Sequence, residues 1–444
     1  MAGLPCPGSL PSGTSTRPPR RGSPGRSTEG WPWWTRKARP CRWTNGSASY
    51  AKGGPVAKTR DERILSPLKK AAAKGKELRW CVVGAGNGGL AMAGHLGIMG
   101  FPVSIYNRTD ERLAGVRWHG GVHVDGDVNG FGPVGVATSE MGEALDGADV
   151  VMVVTPSTAH GWLAAQMAPY LTDGQLVVLN PGRTGGALEF RKVLLDQGIQ
   201  AKPVIDEAQT FIYASRAYTR HDAHIFKIKN EVALATLPSY WIPDALNVLR
   251  IAFPQFTAGG NVLATSVENI GAVFHPALTI LNAGWIEATG GDFEYYIQGI
   301  TPSVAKVLEQ VDAERLDVAR ALGQRSVSAR EWLYLSYDST GKNLYEAIRD
   351  TAGYHGIKAP PSVAHRYIWE DVPMSLVPLS SIGAMLGVAT PTIDMVIRLG
   401  SLLHGRDYYA EGRTVERLGI AGLGIKAIHR IVADPDEPDG GTPT

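Results

Sequence analysis

The stretch RWCVVGAGNGGLAMAGHLGIMG, residues 79–100, decides how this chain is read. Trp80 to Val83 is a short apolar run of strand type; it breaks into Gly84-Ala85-Gly86-Asn87-Gly88-Gly89, and helical apolar spacing begins at Leu90. A strand, a glycine turn and a helix in that order make the cradle of a dinucleotide. Gly84 permits the tight turn, Gly86 puts no side chain in the way of a pyrophosphate, and Gly89 lets the helix lie against the strand. Unpaired N–H groups at the helix start then face the phosphates. A lone GxGxxG is weak, but the strand before it and the helix after it give it weight. The expected cofactor contacts are Gly84, Ala85, Gly86, Asn87, Gly88 and Gly89.

Downstream, Phe101 to Tyr106 reads as a second strand ending at Asn107-Arg108-Thr109. NAD-preferring folds place an acidic residue here, about 20 residues past the glycines, to bind the ribose. An amide and a guanidinium suit a 2′-phosphate instead, so Asn107 and Arg108 favour NADP(H), with NAD(H) still open. Val150 to Val154 and Leu176 to Leu179 are further buried strands, ending in Thr155-Pro156-Ser157 and Asn180-Pro181-Gly182-Arg183. Strand ends of this kind line the ligand crevice, which brings Thr155 and Pro156 to the nicotinamide side and Asn180, Gly182 and Arg183 next to it. Strands near 203–205 and 226–228 are expected to extend the same sheet. Glu207, Tyr213 and Arg216 form a polar set of no clear period.

The alternation of short strands and helices from Glu77 predicts a parallel α/β sheet. After about Phe253 long helical patterns take over. The expected organisation is a disordered basic tail over 1–76, a Rossmann dinucleotide-binding domain over 77–258, an all-helical substrate domain over 259–432 and a flexible end over 433–444. Residues 1–76 are rich in Pro, Gly, Ser and Arg, carry 16 Lys and Arg against 3 Asp and Glu, and show no period. Trp31, Trp33, Trp34 and Trp43 interleave with basic residues there, leaving a nucleic-acid or anionic-membrane arm as the alternative to plain disorder. The chain as a whole has a formal charge of +2, so the rest is acidic, which excludes nucleic acid as the main partner of the folded part. No window has the roughly 18 uninterrupted apolar residues of a membrane helix. Three cysteines, Cys6, Cys41 and Cys81, support neither a disulfide framework nor a metal set and point to a reduced, cytoplasmic protein. A homodimer is carried as an expectation without a pattern that specifies it.

In the helical half, Val267, Ile270, Phe274, Ala277 and Leu281 recur at helical spacing, so Pro276 must kink or begin a helix. His275 stands at that discontinuity, where a helix start would favour its neutral form. Asn282 falls two turns on along the same face. A hydrogen-bonded core histidine is the plain alternative. Residues 301–325, with Glu314 and Arg315, read as an amphipathic helix with solvated charges. His365-Arg366-Tyr367-Ile368-Trp369-Glu370-Asp371-Val372-Pro373 reads as a binding loop or a capped helix start. Thr390 and Pro391 are set to begin a helix through Leu399.

These motifs together, GAGNGG, ENIGAVFHPALTILNAG at 268–284, HRYIWEDVP at 365–373, GVATPTIDMVI and GRTVERLGI, resemble the octopine and nopaline dehydrogenase family over about residues 79–420. The resemblance implies a dinucleotide-binding domain followed by a helical one, related to 6-phosphogluconate dehydrogenase, with the active site between them. It implies NAD(P)H-dependent reductive condensation of an amino acid with an α-keto acid to an N-(carboxyalkyl) amino acid. By motif, the catalytic pair falls on His275 and Asp371, and the arginine for a substrate carboxylate on Arg366; Asn282 is carried as a second substrate contact. The 76-residue tail departs from the family. Two other readings stay open: a related dehydrogenase of hydroxy acids or polyol phosphates using Lys227 or Lys229, and a nucleotide sensor without turnover.

Overall fold

The computed structural model describes residues 61–433. The expectations for 1–60 and 434–444 lie outside these residues. An eight-stranded sheet is built from β1 (Trp80–Val83), β2 (Val103–Tyr106), β5 (Val136–Thr138), β6 (Val150–Val153), β7 (Leu176–Leu179), β8 (Val204–Ala208), β11 (Val232–Leu237) and β12 (Phe256–Ala258). Its order is β12-β11-β8-β7-β6-β1-β2-β5, parallel except that β11 and β12 run opposite to the rest. Every residue of β1, β6 and β7 is buried, which is why these strands are continuous apolar runs rather than alternating ones.

A second sheet, order β4-β3-β10-β9, comprises β3 (Gly121–Gly126), β4 (Gly130–Pro133), β9 (Tyr213–Ala217) and β10 (Asp222–Ile228). The segment 226–228 therefore belongs here and does not extend the main sheet. The glycine helix Asn87–Ile98 lies between the two sheets. Backbone approaches closely on its second side: a Cβ added at Gly94 would stand 2.4 Å from Val124, and one at Gly97 2.5 Å from the Pro133 carbonyl. This explains its small, apolar, non-amphipathic sequence. His95 Nδ1 and the Tyr213 hydroxyl, 2.8 Å apart, supply each other's partner in that layer.

The basic tail is corrected over 61–76. Glu62–Ala73 is a helix whose Asp61 side chain caps the Arg63 N–H, and Ile64, Leu65, Leu68 and Ala71 are buried. It packs on the helix Ile242–Leu249.

The C-terminal half is helical, arranged about Pro302–Ala321, which packs on Ile270–Leu281, Val377–Leu386 and Pro391–His404. Glu314 and Arg315 are buried rather than solvated. Arg315 donates to Asp312, to Ser326 and to the Val267 and Val327 carbonyls. Glu314 accepts from the Thr392 and Ile393 N–H groups and so caps Pro391–His404, work that the Thr390 side chain does not do.

Two buried carboxylates tie the halves together. Glu207, at the end of β8, accepts from the Ala187 N–H and from the Thr265 and Ser266 hydroxyls. Glu189 accepts from Arg413 at 2.6 Å, and Arg413 also donates to the Gly182 and Ser157 carbonyls and to His160. Burial, reinforced by the nearby Arg413 and Arg183, pushes the His160 imidazole well down, so it accepts as a neutral ring.

Asp206, one residue before Glu207 and on the opposite face, is fully buried with no hydrogen-bond partner on either oxygen among the described residues. Burial pushes its carboxyl well above the usual range. The native state thus holds a proton that the unfolded chain releases near pH 4, and stability declines as pH rises above that value. Asp206→Val should raise stability by about 1–3 kcal/mol at pH 8 and by less at pH 5, as read by thermal melting. A melting temperature that drops at pH 8 would show that the carboxyl has work to do.

Candidate active site

The helix Ile270–Leu281 runs unbroken with Pro276 inside it, so His275 stands in mid-helix and not at a helix start. The argument from a helix N-terminus therefore does not apply. Its position is set by other groups: the His275 carbonyl accepts from the Thr279 and Tyr295 hydroxyls, and its ring stacks on Tyr367 at 4.1 Å. His275 Nδ1 lies 2.8 Å from Asp371 Oδ2. A carboxylate only accepts, so Nδ1 carries the proton and Nε2 is left as the working nitrogen. The segment 365–373 is a capped helix start: Arg366–Trp369 is a helical turn begun by His365, and a π-helical segment, Val372–Leu376, follows Asp371.

Asp371 is fully buried. Burial pushes its carboxyl up, but Arg183 and the His275 hydrogen bond outweigh this and hold it below the usual range. Arg183 Nη1 stands 3.2 Å from Asp371 Oδ1 and 3.4 Å from Asn269 Oδ1. Its backbone is left-handed, φ 61°, in the turn after β7. Gly271, one turn before His275, makes room for it, since a Cβ there would meet Nη1 at 2.8 Å. Arg183 Nε faces Glu370 Oε1 at 3.7 Å, an ion pair too long for a hydrogen bond, so the guanidinium sits between the carboxylates of Glu370 and Asp371.

Arg366, the expected carboxylate ligand, is already committed: its Nε donates to Glu370 at 2.8 Å, and its side chain is 46% exposed. Glu370 is buried and also accepts from the Ser157 N–H and hydroxyl at 3.0 and 3.1 Å. Asn282 is buried, and its amide donates to the Leu278 and Gly299 carbonyls at a helix junction, so these donors are committed within the fold. Lys227 is exposed beside Asp127, whereas Lys229 donates to Thr210 at 2.6 Å and burial pushes it down to about 8.

The glycine turn fits a dinucleotide by its own geometry. Gly84 has φ 115°, and an added Cβ would press on the Val154 carbonyl at 2.5 Å; one on Gly89 would strike the Gly84 carbonyl at 1.7 Å. At Gly86 a Cβ would meet nothing within 4 Å, because that position faces a cavity of about 280 Å³. The helix starts at Asn87, earlier than the apolar period indicates, with Gly86 as its cap. Asn87 and Ala85 line the cavity, while Gly88 packs on Phe211 and Val154. Asn107 does not offer its amide to a ribose phosphate: its Oδ1 accepts from the Ala85 N–H and its Nδ2 donates to Thr109, bracing the turn. Arg108 is exposed, over the Trp162 ring at 5.8 Å. Thr155 packs against the Gly84 position with its hydroxyl unpartnered, and Pro156 is exposed beside it.

Sequence reading left Arg183 as a secondary neighbour and missed Glu370, Ser157, Asn269 and Gly271. The Arg366 to Glu370 spacing of four on a helix was a readable signal for an internal pair.

Comparison with known proteins places this arrangement. The alpha-helical domain of the NAD/NADP octopine/nopaline dehydrogenase family matches residues 258–404. Opine dehydrogenase from Arthrobacter sp. strain 1C is 39% identical over 354 residues, 80% of this chain and 98% of that protein. Octopine dehydrogenase from Pecten maximus is 26% identical over 62% of this chain and 75% of its own length. A solved octopine dehydrogenase with NADH and L-arginine shares the fold at a TM-score of 0.68 and 24% identity, covering 82% of this chain and all of that one. Yersinopine dehydrogenase with NADP+ does so at 0.63 and 15%, covering 81% and 98%. The chain is an oxidoreductase with a nicotinamide dinucleotide site, and it belongs to the opine dehydrogenase family.

Proposed function

We propose that the chain joins the amino group of an amino acid to an α-keto acid and reduces the product to an N-(carboxyalkyl) amino acid, with NADPH preferred over NADH. The observation that carries this reading is the His275–Asp371 pair at 2.8 Å, with Arg183 against Asp371. Residues 77–258 then serve as the cofactor half, joined by the helix Glu62–Ala73, and 259–432 as the catalytic half. Solved octopine dehydrogenases hold L-arginine, agmatine or pyruvate with NADH, which supports an amine and a keto acid as the substrate classes.

His275 Nε2 takes a proton from the substrate ammonium, freeing the amine to attack the keto carbon. After the added amine's proton has passed to the new oxygen, the imidazolium returns its proton to the carbinolamine hydroxyl, which leaves as water to give the protonated imine. Asp371 fixes the ring tautomer and stabilises the imidazolium. Arg183, whose longest ion pair is the 3.7 Å one from Nε to Glu370, is the buried cation to hold a substrate carboxylate beside the reacting carbon, and Arg366 stands at the rim for the second. When bound, the reduced nicotinamide supplies the hydride. The preference for NADPH rests on the end of β2, where Asn107 and Arg108 stand in place of an acid that would repel a 2′-phosphate.

The test is NADPH consumption with an amino acid plus pyruvate, against each alone. Oxidation should require both. Oxidation with a carbonyl compound alone would favour a hydroxy-acid dehydrogenase, and tight binding without turnover a sensor.

A further inference from the structure

The cavity beside Gly86 is closed on its far side by a feature that the glycine motif does not contain. The β9–β10 hairpin of the second sheet reaches across and is pinned at both ends. The Ala217 N–H donates to Asn87 Oδ1 at 3.0 Å, and Arg220 Nη1 donates to the Glu111 carbonyl at 2.6 Å. Its tip is fixed internally, with the Thr219 hydroxyl accepting from the His221 and Asp222 N–H groups. His221 stacks on His119 at 3.8 Å.

Beyond this strap lies a second cavity of about 660 Å³, bordered by the loop Thr109–Arg112 that follows β2. Arg112 and Arg220 line both spaces, so two guanidinium groups stand where the pyrophosphate cradle meets the ribose end of β2. Among the described residues neither has a carboxylate ion partner within 4 Å. Of the two acids on the same wall, Asp110 is held by Arg117, and Glu111 gives Arg220 its backbone oxygen. The adenosine ribose lies at the end of β2 in folds of this kind, so a phosphate on its 2′-oxygen falls between these cavities.

We propose that Arg220, delivered by the hairpin, and Arg112 together grip the 2′-phosphate of NADP(H), so that the strap sets cofactor choice more than Arg108 does. This rests on the preference for NADPH proposed above and locates it. Guanidinium pairs suit a phosphate because each offers two parallel N–H groups to its oxygens.

The experiment is a titration of wild type, Arg112→Gln, Arg220→Gln and Arg108→Gln with NADPH and with NADH, followed by cofactor fluorescence. Arg112→Gln and Arg220→Gln should each weaken NADPH by about 10- to 100-fold and NADH by no more than about threefold. Retained NADH binding shows that the variants are folded. Equal losses for both cofactors, or a selective loss confined to Arg108→Gln, would overturn the clamp while leaving the preference standing. A wild type that binds NADH as tightly as NADPH would remove the preference itself, and the clamp with it.

Discussion

Replacing His275 by alanine should lower turnover by about 10²- to 10⁴-fold while NADPH affinity stays near that of wild type. The ring sits on the helical half, and its nearest polar contact, Asp371 Oδ2 at 2.8 Å, belongs to that half too. The glycine turn is braced separately by Asn107. Loss of the imidazole therefore removes the proton carrier and leaves the nucleotide cradle intact. It also leaves Asp371 buried against Arg183 alone, so some loss of stability accompanies the loss of rate. Asp371→Asn separates the two effects, because it keeps the shape and removes the charge that holds the tautomer. Single-turnover rates with both substrates, beside NADPH titrations, give the measurement. Turnover within tenfold of wild type in His275→Ala would place the proton transfer elsewhere, and an NADPH affinity that falls in step would make the residue structural.

Arg413→Met should destabilise the fold by about 3–5 kcal/mol, the cost of stranding a buried ionic partner. Arg413 is fully buried and donates to Glu189, to three backbone carbonyls of the cofactor half and to His160. Without it Glu189 keeps only Arg417, a partner 42% exposed, and the Gly182 carbonyl loses a donor beside Arg183. The double variant Glu189→Gln, Arg413→Met should be less destabilised than Arg413→Met alone, because no buried charge is left behind and Arg417, 42% exposed, turns to solvent. Urea unfolding of wild type, Glu189→Gln, Arg413→Met and the double variant decides it. Additive losses would mean that Glu189 and Arg413 do not act as a pair.

What could be read from the sequence was whatever local chemistry determines. The turn from Gly84 to Gly89 is specified by steric limits within six residues: Gly84 has a left-handed backbone, a Cβ on Gly86 would meet nothing, and one on Gly89 would strike the Gly84 carbonyl. The pairing of His275 with Asp371, 96 positions apart, came from motif likeness; no periodicity could have placed it. Failures fall where a partner is remote or a composition is averaged. The helix Glu62–Ala73 was lost inside a tail dominated by Pro, Gly and Arg, although Ile64, Leu65, Leu68 and Ala71 have helical spacing. Arg315 looked solvated because its acceptors, the Val267 and Val327 carbonyls, are supplied by other segments. Asn282 was aligned with His275 by counting turns, but the Gly299 carbonyl claims it. Motif likeness names Arg366, whereas the burial of Arg183 against Glu370 and Asp371 depends on chain folding that no local pattern specifies.

Glu370, the neighbour of Asp371, accepts from the Ser157 main chain in the turn that follows β6. The His275–Asp371 pair is thereby moored to the nucleotide half through one buried carboxylate, so the spacing between the two halves is set at this single joint.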